Sequence, residues 1–276
     1  MTDLDAYVEE VAGRVSAVVG DDLVGLYLHG SAAMDAFVPS RSDVDVLVVT
    51  RGALEEVTKR AVADAISEAA LPCPGVGLEM SIVTLGSVRT ASDGPPFELH
   101  VNTQDHKVVD GAGHAGDPDL VAHFAMVRAR GVAVLGPPAV DVIPPVDRSR
   151  LLRSLAEDLA WAIDGDLGGY TVLNACRGLR LAREGVFCSK PEGGRWALDE
   201  GIADANLVGA ALRRQAGADE EVNVDAAARL ATRIREELLR EAARQAEGEA
   251  GSERSPSRPG PESRARPTVG LPAPEE

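Results

Sequence analysis

The stretch LYLHGSAAMDAFVPSRSDVDVLVVT, Leu26 to Thr50, decides the fold. It reads as an apolar strand, a Gly30-Ser31 turn, a spacer, and a second apolar strand that opens with two aspartates one residue apart. Side chains alternate along a strand with a period of two, so Asp43 and Asp45 are expected on one face. Carboxylates side by side repel each other, and a divalent cation relieves that repulsion. Hard oxygen ligands of this kind suit Mg²⁺. The backbone N–H groups around Gly30 and Ser31, at the end of a strand, can form a nest for phosphate oxygens. A phosphate cradle beside a carboxylate pair is the equipment of phosphoryl or nucleotidyl transfer.

Outward from this stretch, residues 3–19 carry apolar side chains at helical spacing and predict an amphipathic helix that ends at Gly20. Residues 52–70 read as a second helix, stopping before Pro72, and 77–84 as a third strand. Residues 99–109 form a further extended segment, and Asp117-Pro118-Asp119 opens a helix running to about Arg130. Two Pro-Pro pairs, at 137–138 and 144–145, bracket a linker, after which the pattern is helical throughout: about 147–163, 170–184, 195–200, 204–215 and 224–245. The expected organisation is α+β: a first domain over 1–140, with a mixed sheet flanked by helices, then an α-helical bundle over 147–246. From about Gly248 the chain holds Ser, Pro, Gly, Arg and Glu with almost no apolar residues, so 247–276 is expected to be a disordered tail.

Composition narrows the function. The net charge of −16 over 276 residues opposes binding to a nucleic-acid backbone and is compatible with a small polycationic substrate. Apolar content is ordinary at 45 %, and no long uncharged apolar run or basic leader is present, so a cytoplasmic protein without a membrane span is expected, and a monomer. Cys73, Cys176 and Cys188 match neither a disulfide framework nor a zinc pattern. Trp161 and Trp196 sit at helical spacing and read as core.

In Leu78-Glu79-Met80-Ser81-Ile82-Val83 a third carboxylate interrupts an apolar strand, which is costly unless it faces a site. With Gly30-Ser31 and Ser42-Asp43-Val44-Asp45 before the apolar run 46–49, the pattern resembles the polymerase-β-like nucleotidyltransferase superfamily. Met34 and Asp35 stand where many relatives carry a second glycine. The order LHGSA, SDVDVLVV, LEMSIVT, VLGPP, VLNACRGL and SK narrows the resemblance, over about residues 20–215, to bacterial aminoglycoside adenylyltransferases of the streptomycin/spectinomycin type.

That resemblance implies ATP and Mg²⁺ as cofactors. Gly30, Ser31 and Ser42 would hold the triphosphate, and Asp43 and Asp45 the metal. Glu79 would either complete the metal site or take the proton from the attacking hydroxyl, while Arg177 and Lys190 would reach ATP from the helical domain. The acceptor implied is an aminoglycoside or aminocyclitol. The chain departs from the streptomycin-modifying members in having no tryptophan across 98–104. The acidic residue those enzymes place before the second bundle helix also lacks a clean match, with Asp164 and Asp166 nearby and Leu167 and Gly168 at the strict alignment. Two other readings of this fold are the same chemistry on another small molecule, and a regulatory module acting on a protein partner; the large helical domain weighs against the second.

Overall fold

The first helix, α1 (Asp3–Val19), starts at a capping box in which the Thr2 hydroxyl accepts the Asp5 N–H and the Asp5 carboxylate accepts that of Thr2. The computed structural model describes residues 2–165 and 167–253, with side chains through Glu247. After α1 come β1 (Leu23–His29), β2 (Val44–Thr50), α2 (Glu56–Ala65), β3 (Leu78–Thr84), α3 (Leu85–Arg89), β4 (Leu99–Asn102), β5 (Lys107–Asp110), α4 (Asp119–Arg130), β6 (Val132–Leu135) and α5 (Ala139–Val142). Five helices follow: α6 (Arg148–Asp164), α7 (Gly168–Glu184), α8 (Lys190–Asp199), α9 (Ala205–Gln215) and α10 (Val224–Glu253).

The six strands form one mixed sheet in the order β5-β4-β3-β2-β1-β6, parallel only between β2 and β3. A parallel pair cannot be joined by a hairpin, and α2 supplies the crossover. Both central strands are apolar almost throughout because both faces are covered. Val46, Val48, Met80 and Ile82 pack beneath α1 and α2, whereas Leu47, Val49 and Val83 pack with Leu120 and Phe124 of α4. Asp45 and Glu79 share parity with this second set, so their carboxylates emerge on the side of the sheet that carries α4. Lys59 ties α2 to the far strands through Asp110 Oδ1 at 2.9 Å and Glu98 Oε2 at 3.5 Å. Burial alone would lower the Lys59 pKa, but the bond to Asp110 and the Glu98 charge more than offset it.

The helical half has its own core, built on Leu152, Leu159, Val172, Leu173, Ile234 and Leu238. It meets the sheet half chiefly through α6 against α4, where Ser154 Oγ donates to the Pro118 carbonyl at 3.1 Å. Arg150 adds contacts to Asp93 and to the Ser92 carbonyl. At the other end of the intervening cleft, Arg41 donates to the Ala218 carbonyl at 3.3 Å.

Several elements differ from the expectations. The extended segment 99–109 is a hairpin, with His106 in the left-handed conformation at φ 53° at its turn. α2 is shorter than 52–70 at both ends; at its start, Leu54 N–H donates to the half-buried Glu98 and holds the residues before Glu56 out of the helix. α8 begins at Lys190 rather than Arg195, on a capping box between Ser189 and Glu192. The short α5 adds Ala139, Val142 and Ile143 to the sheet-side core. α10 continues to Glu253, past the expected end near 245, while 254–276, most of the expected tail, lies outside the described residues. Among the described residues no helix is long and apolar enough to cross a membrane.

Candidate active site

Sheet register builds the site. His29 of β1 pairs with Asp45 of β2, Asp45 with Glu79 of β3, and Glu79 with Asn102 of β4, a single row across four strands. Asp43 stands immediately before β2 with the same parity as Asp45. Asp43, Asp45 and Glu79 each bring a carboxylate oxygen, all within 4.8 Å of one another. β3 is an interior strand, so Glu79 is not a solvated edge residue. Burial, then the Asp43 and Glu79 charges, holds the Asp45 carboxyl well above the usual carboxylate range. Burial, then the Asp43 charge, pushes Glu79 up to about 7. Both shifts follow from burial first and from the clustering of negative charge second, and an all-carboxylate donor set of this reach fits a hard divalent cation such as Mg²⁺.

The Gly-Ser turn is shaped by this triad. Gly30 has a φ of 62°, and a Cβ there would fall 1.7 Å from Asp45 Oδ2, so only glycine lets the turn pass so close to the carboxylate. A few residues on, Asp35 takes φ 52°, the left-handed conformation that a glycine would adopt at no cost. Ser31 Oγ is buried at the cleft without a hydrogen-bond partner among the described residues. A phosphate oxygen is the acceptor such a hydroxyl lacks. Ser42 Oγ accepts the Val38 N–H at 3.0 Å, which staples the spacer and leaves the Ser42 proton free to donate.

The opposite wall comes from α7 and α8. Tyr170, Asn174 and Arg177 recur at i, i+4 and i+7 and share a helix face. α8 closes onto α7 at Gly193, where a Cβ would lie 2.8 Å from the Arg177 backbone. The close approach places Lys190, in the first turn of α8, with Nζ 4.2 Å from the Tyr170 ring centroid. Burial, and then the Arg177 charge, lowers the Lys190 pKa, while Asp43, Asp45 and Asp158 oppose that shift from across the cleft. Every residue assigned a role from the sequence therefore lines one cleft of about 620 Å³, with anions on the sheet side facing cations on the helical side.

The structure adds residues that the sequence reading passed over. Asp158 of α6 accepts from Tyr170 Oη at 3.0 Å and from Asn174 Nδ2 at 2.7 Å. With Asp117 and Asp119 at the start of α4 it forms an acidic wall beyond Glu79, and burial, then the neighbouring Asp117 and Asp158 charges, raises the Asp119 pKa against the opposing charge of His123. The available signal for Asp158 was its place in the apolar pattern of α6, three residues before Trp161. Trp161 itself corrects the expectation of a core residue: it is 61 % exposed and lines the cleft, because this face of α6 turns toward the opening rather than the bundle. Trp196 is partly buried against the helical core, its Nε1 donating to Glu184 at 2.6 Å. Asp164 is exposed and stands off the cleft lining, and Asp166 lies outside the described residues.

A mixed sheet presenting a Gly-Ser turn and three converging carboxylates to a cationic helical wall defines a nucleotidyltransferase. The family described as "Aminoglycoside adenylyltransferase, C-terminal domain" matches residues 141–241. An aminoglycoside (3'') (9) adenylyltransferase of Shigella flexneri is 28 % identical over 214 residues, covering 71 % of this chain and 81 % of that protein. A spectinomycin 9-adenylyltransferase of Staphylococcus aureus is 24 % identical over 196 residues, 67 % of this chain and 74 % of that protein. In fold, the chain is similar to the spectinomycin adenyltransferase AAD(9) of Enterococcus faecialis, solved with ATP and spectinomycin, at a TM-score of 0.67 and 15 % identity, covering 86 % of this chain and 99 % of the other. The chain is thus similar to aminoglycoside and spectinomycin adenylyltransferases in sequence, and to one of them in fold.

Proposed function

We propose that this protein transfers the AMP moiety of ATP to a hydroxyl of an aminoglycoside or aminocyclitol and releases pyrophosphate. The observation that carries the reading is the convergence of Asp43, Asp45 and Glu79 opposite Lys190 and Arg177 in one cleft. Asp43 and Asp45 would hold Mg²⁺, with Glu79 within reach of the same ion, and the ion would supply positive charge to the phosphate oxygens of the reacting nucleotide.

The chain's own groups account for the rest. Gly30, Ser31 and Ser42 seat the triphosphate on the sheet side, the orphaned Ser31 hydroxyl donating to a phosphate oxygen. Lys190 and Arg177 neutralise it from the helical side, so the nucleotide bridges the two halves and closes the cleft on the acceptor. Glu79 takes the proton of the acceptor hydroxyl as the oxygen bonds to the α-phosphorus, its burial beside Asp43 raising its affinity for that proton. The bond from the α-phosphorus to the oxygen of the β-phosphate breaks, and that electron pair leaves with pyrophosphate. Asp117, Asp119 and Asp158 face the ammonium groups of a cationic acceptor, which explains why an acidic wall lies beyond the general base.

The test is pyrophosphate release from MgATP with and without a panel of aminocyclitols. Release should depend on both the metal and an acceptor. Release that is the same with and without acceptor would count against a dedicated transferase.

A further inference from the structure

Three cations converge where the cleft opens into a second lobe of about 670 Å³. Arg41 comes from the spacer just before Ser42, Lys190 from the first turn of α8, and Arg214 from the last turn of α9. Among the described residues none of the three forms an ion pair, and Glu221 is the one carboxylate in the lining of this lobe. Arg41 gives one N–H to the Ala218 carbonyl at 3.3 Å and Arg214 one to the Glu220 carbonyl at 2.9 Å, which leaves most of each guanidinium free to donate. Lys190 lies over the Tyr170 ring, a weak partner for a full charge.

Like charges gathered around one cavity repel, and a carbonyl satisfies a donor without neutralising it. The reaction cleft is the reverse: Asp43, Asp45, Glu79 and Asp158 line it and stand outside the second lobe. Ammonium groups therefore belong with those carboxylates, and the second lobe suits an anion. Its floor of Leu167, Val222 and Val224 holds water off and strengthens that attraction. Arg41 and Lys190 line both spaces, whereas Arg214 lines the second lobe alone. The shared border thus lies beside Ser42 and Lys190, the groups that seat the triphosphate. In AMP transfer the anion set free at that border is pyrophosphate.

We propose that the second lobe is a product site through which pyrophosphate leaves: Arg41 and Lys190 follow the β- and γ-phosphates as they part from the α-phosphorus, and Arg214 draws them into the lobe. The inference rests on the AMP-transfer reading and adds a path for the leaving group to it. Pyrophosphate held there is separated from Glu79 and the metal-binding carboxylates, which slows its return to attack the new AMP ester. The guanidinium groups supply charge-assisted hydrogen bonds to the phosphate oxygens.

The test measures inhibition of AMP transfer by added magnesium pyrophosphate in wild type, Arg214→Ala and Arg214→Lys, with MgATP and an aminocyclitol acceptor. Alanine should raise the inhibition constant for pyrophosphate about tenfold, a loss of about 1.4 kcal/mol, while the KM for ATP moves by at most about twofold. Lysine, which keeps the charge and the packing of the stem, should recover part of that loss. An unchanged inhibition constant, or a KM for ATP that rises in step with it, would overturn the proposal. Inorganic phosphate, with fewer charged oxygens, should inhibit wild type about tenfold more weakly than pyrophosphate; equal inhibition would make the lobe a general anion trap and overturn the assignment. If wild type adenylylates no acceptor, the parent reading fails, and calorimetric titration with magnesium pyrophosphate alone still decides this one. Binding that weakens about tenfold in Arg214→Ala and is partly restored in Arg214→Lys supports the product site; equal affinities in all three proteins overturn it.

Discussion

Replacing Glu79 by Gln should stabilise the metal-free protein at alkaline pH while slowing the reaction. The folded carboxyl titrates near 7 against an ordinary value of 4.5, so folding favours its protonated form. The sign follows from linkage: stability from this group is fully present below about pH 4.5 and is lost as pH rises through about 7. Between those values, at about 1.4 kcal/mol per pH unit, ionised Glu79 costs up to roughly 3 kcal/mol. Because Asp43 and Asp45 share the same field, part of that cost passes to them, and the net gain for glutamine is smaller. At about 2–4 °C per kcal/mol for a protein of this size, Glu79→Gln should melt several degrees above wild type at pH 8 and near it at pH 4.5. Mg²⁺ should raise the melting temperature of wild type more than that of the variant. Turnover should fall by about a hundredfold or more, with MgATP affinity nearly retained if Glu79 is the base. Thermal melts across pH, with and without Mg²⁺, read all of this. A variant that melts below wild type at pH 8 in the absence of metal would refute the reasoning.

Asp45→Asn should abolish turnover yet leave the metal-free melting temperature equal or higher, since it removes a buried charge held well above its usual pKa; measurable activity in the variant would contradict its role as a ligand. Lys190→Ala should weaken ATP binding and, with it, the enhancement that ATP gives to acceptor binding, because the triphosphate is the bridge between the halves; calorimetric titration of a modified acceptor with and without MgATP checks the coupling. Lys59→Met should cost about 2 kcal/mol in chemical denaturation by leaving the half-buried Glu98 without its cation, and a loss below about 0.5 kcal/mol would show the Lys59 ion pairs to be incidental.

The chemistry was legible because it is written locally. Gly30-Ser31, the alternation that puts Asp43 and Asp45 on one face, and a lone Glu79 in an apolar strand each carry their physical reason within a few residues. The one-turn helices α3 and α5 and the edge strand β6 carry none, being too short for either period to register. The start of α8 was readable in Ser189-Lys190-Pro191-Glu192 but was masked by Gly193-Gly194, two poor helix formers kept for close packing on Arg177, Leu173 and Leu212. Trp161 and Asp158 show a different limit. Helical spacing identifies a face of α6 but cannot say that a cleft, rather than the bundle core, lies in front of it.

The account's central claim is that a hydroxyl of a cationic small molecule receives AMP from ATP. Mass spectrometry of an aminocyclitol and aminoglycoside panel, incubated with the enzyme, Mg²⁺ and ATP labelled at the α-phosphorus, tests it most directly. The account predicts an acceptor that gains one AMP carrying the label, with pyrophosphate formed in equal amount. Gain of a lone unlabelled phosphate, or no adduct across the panel from folded enzyme that binds MgATP, would contradict it.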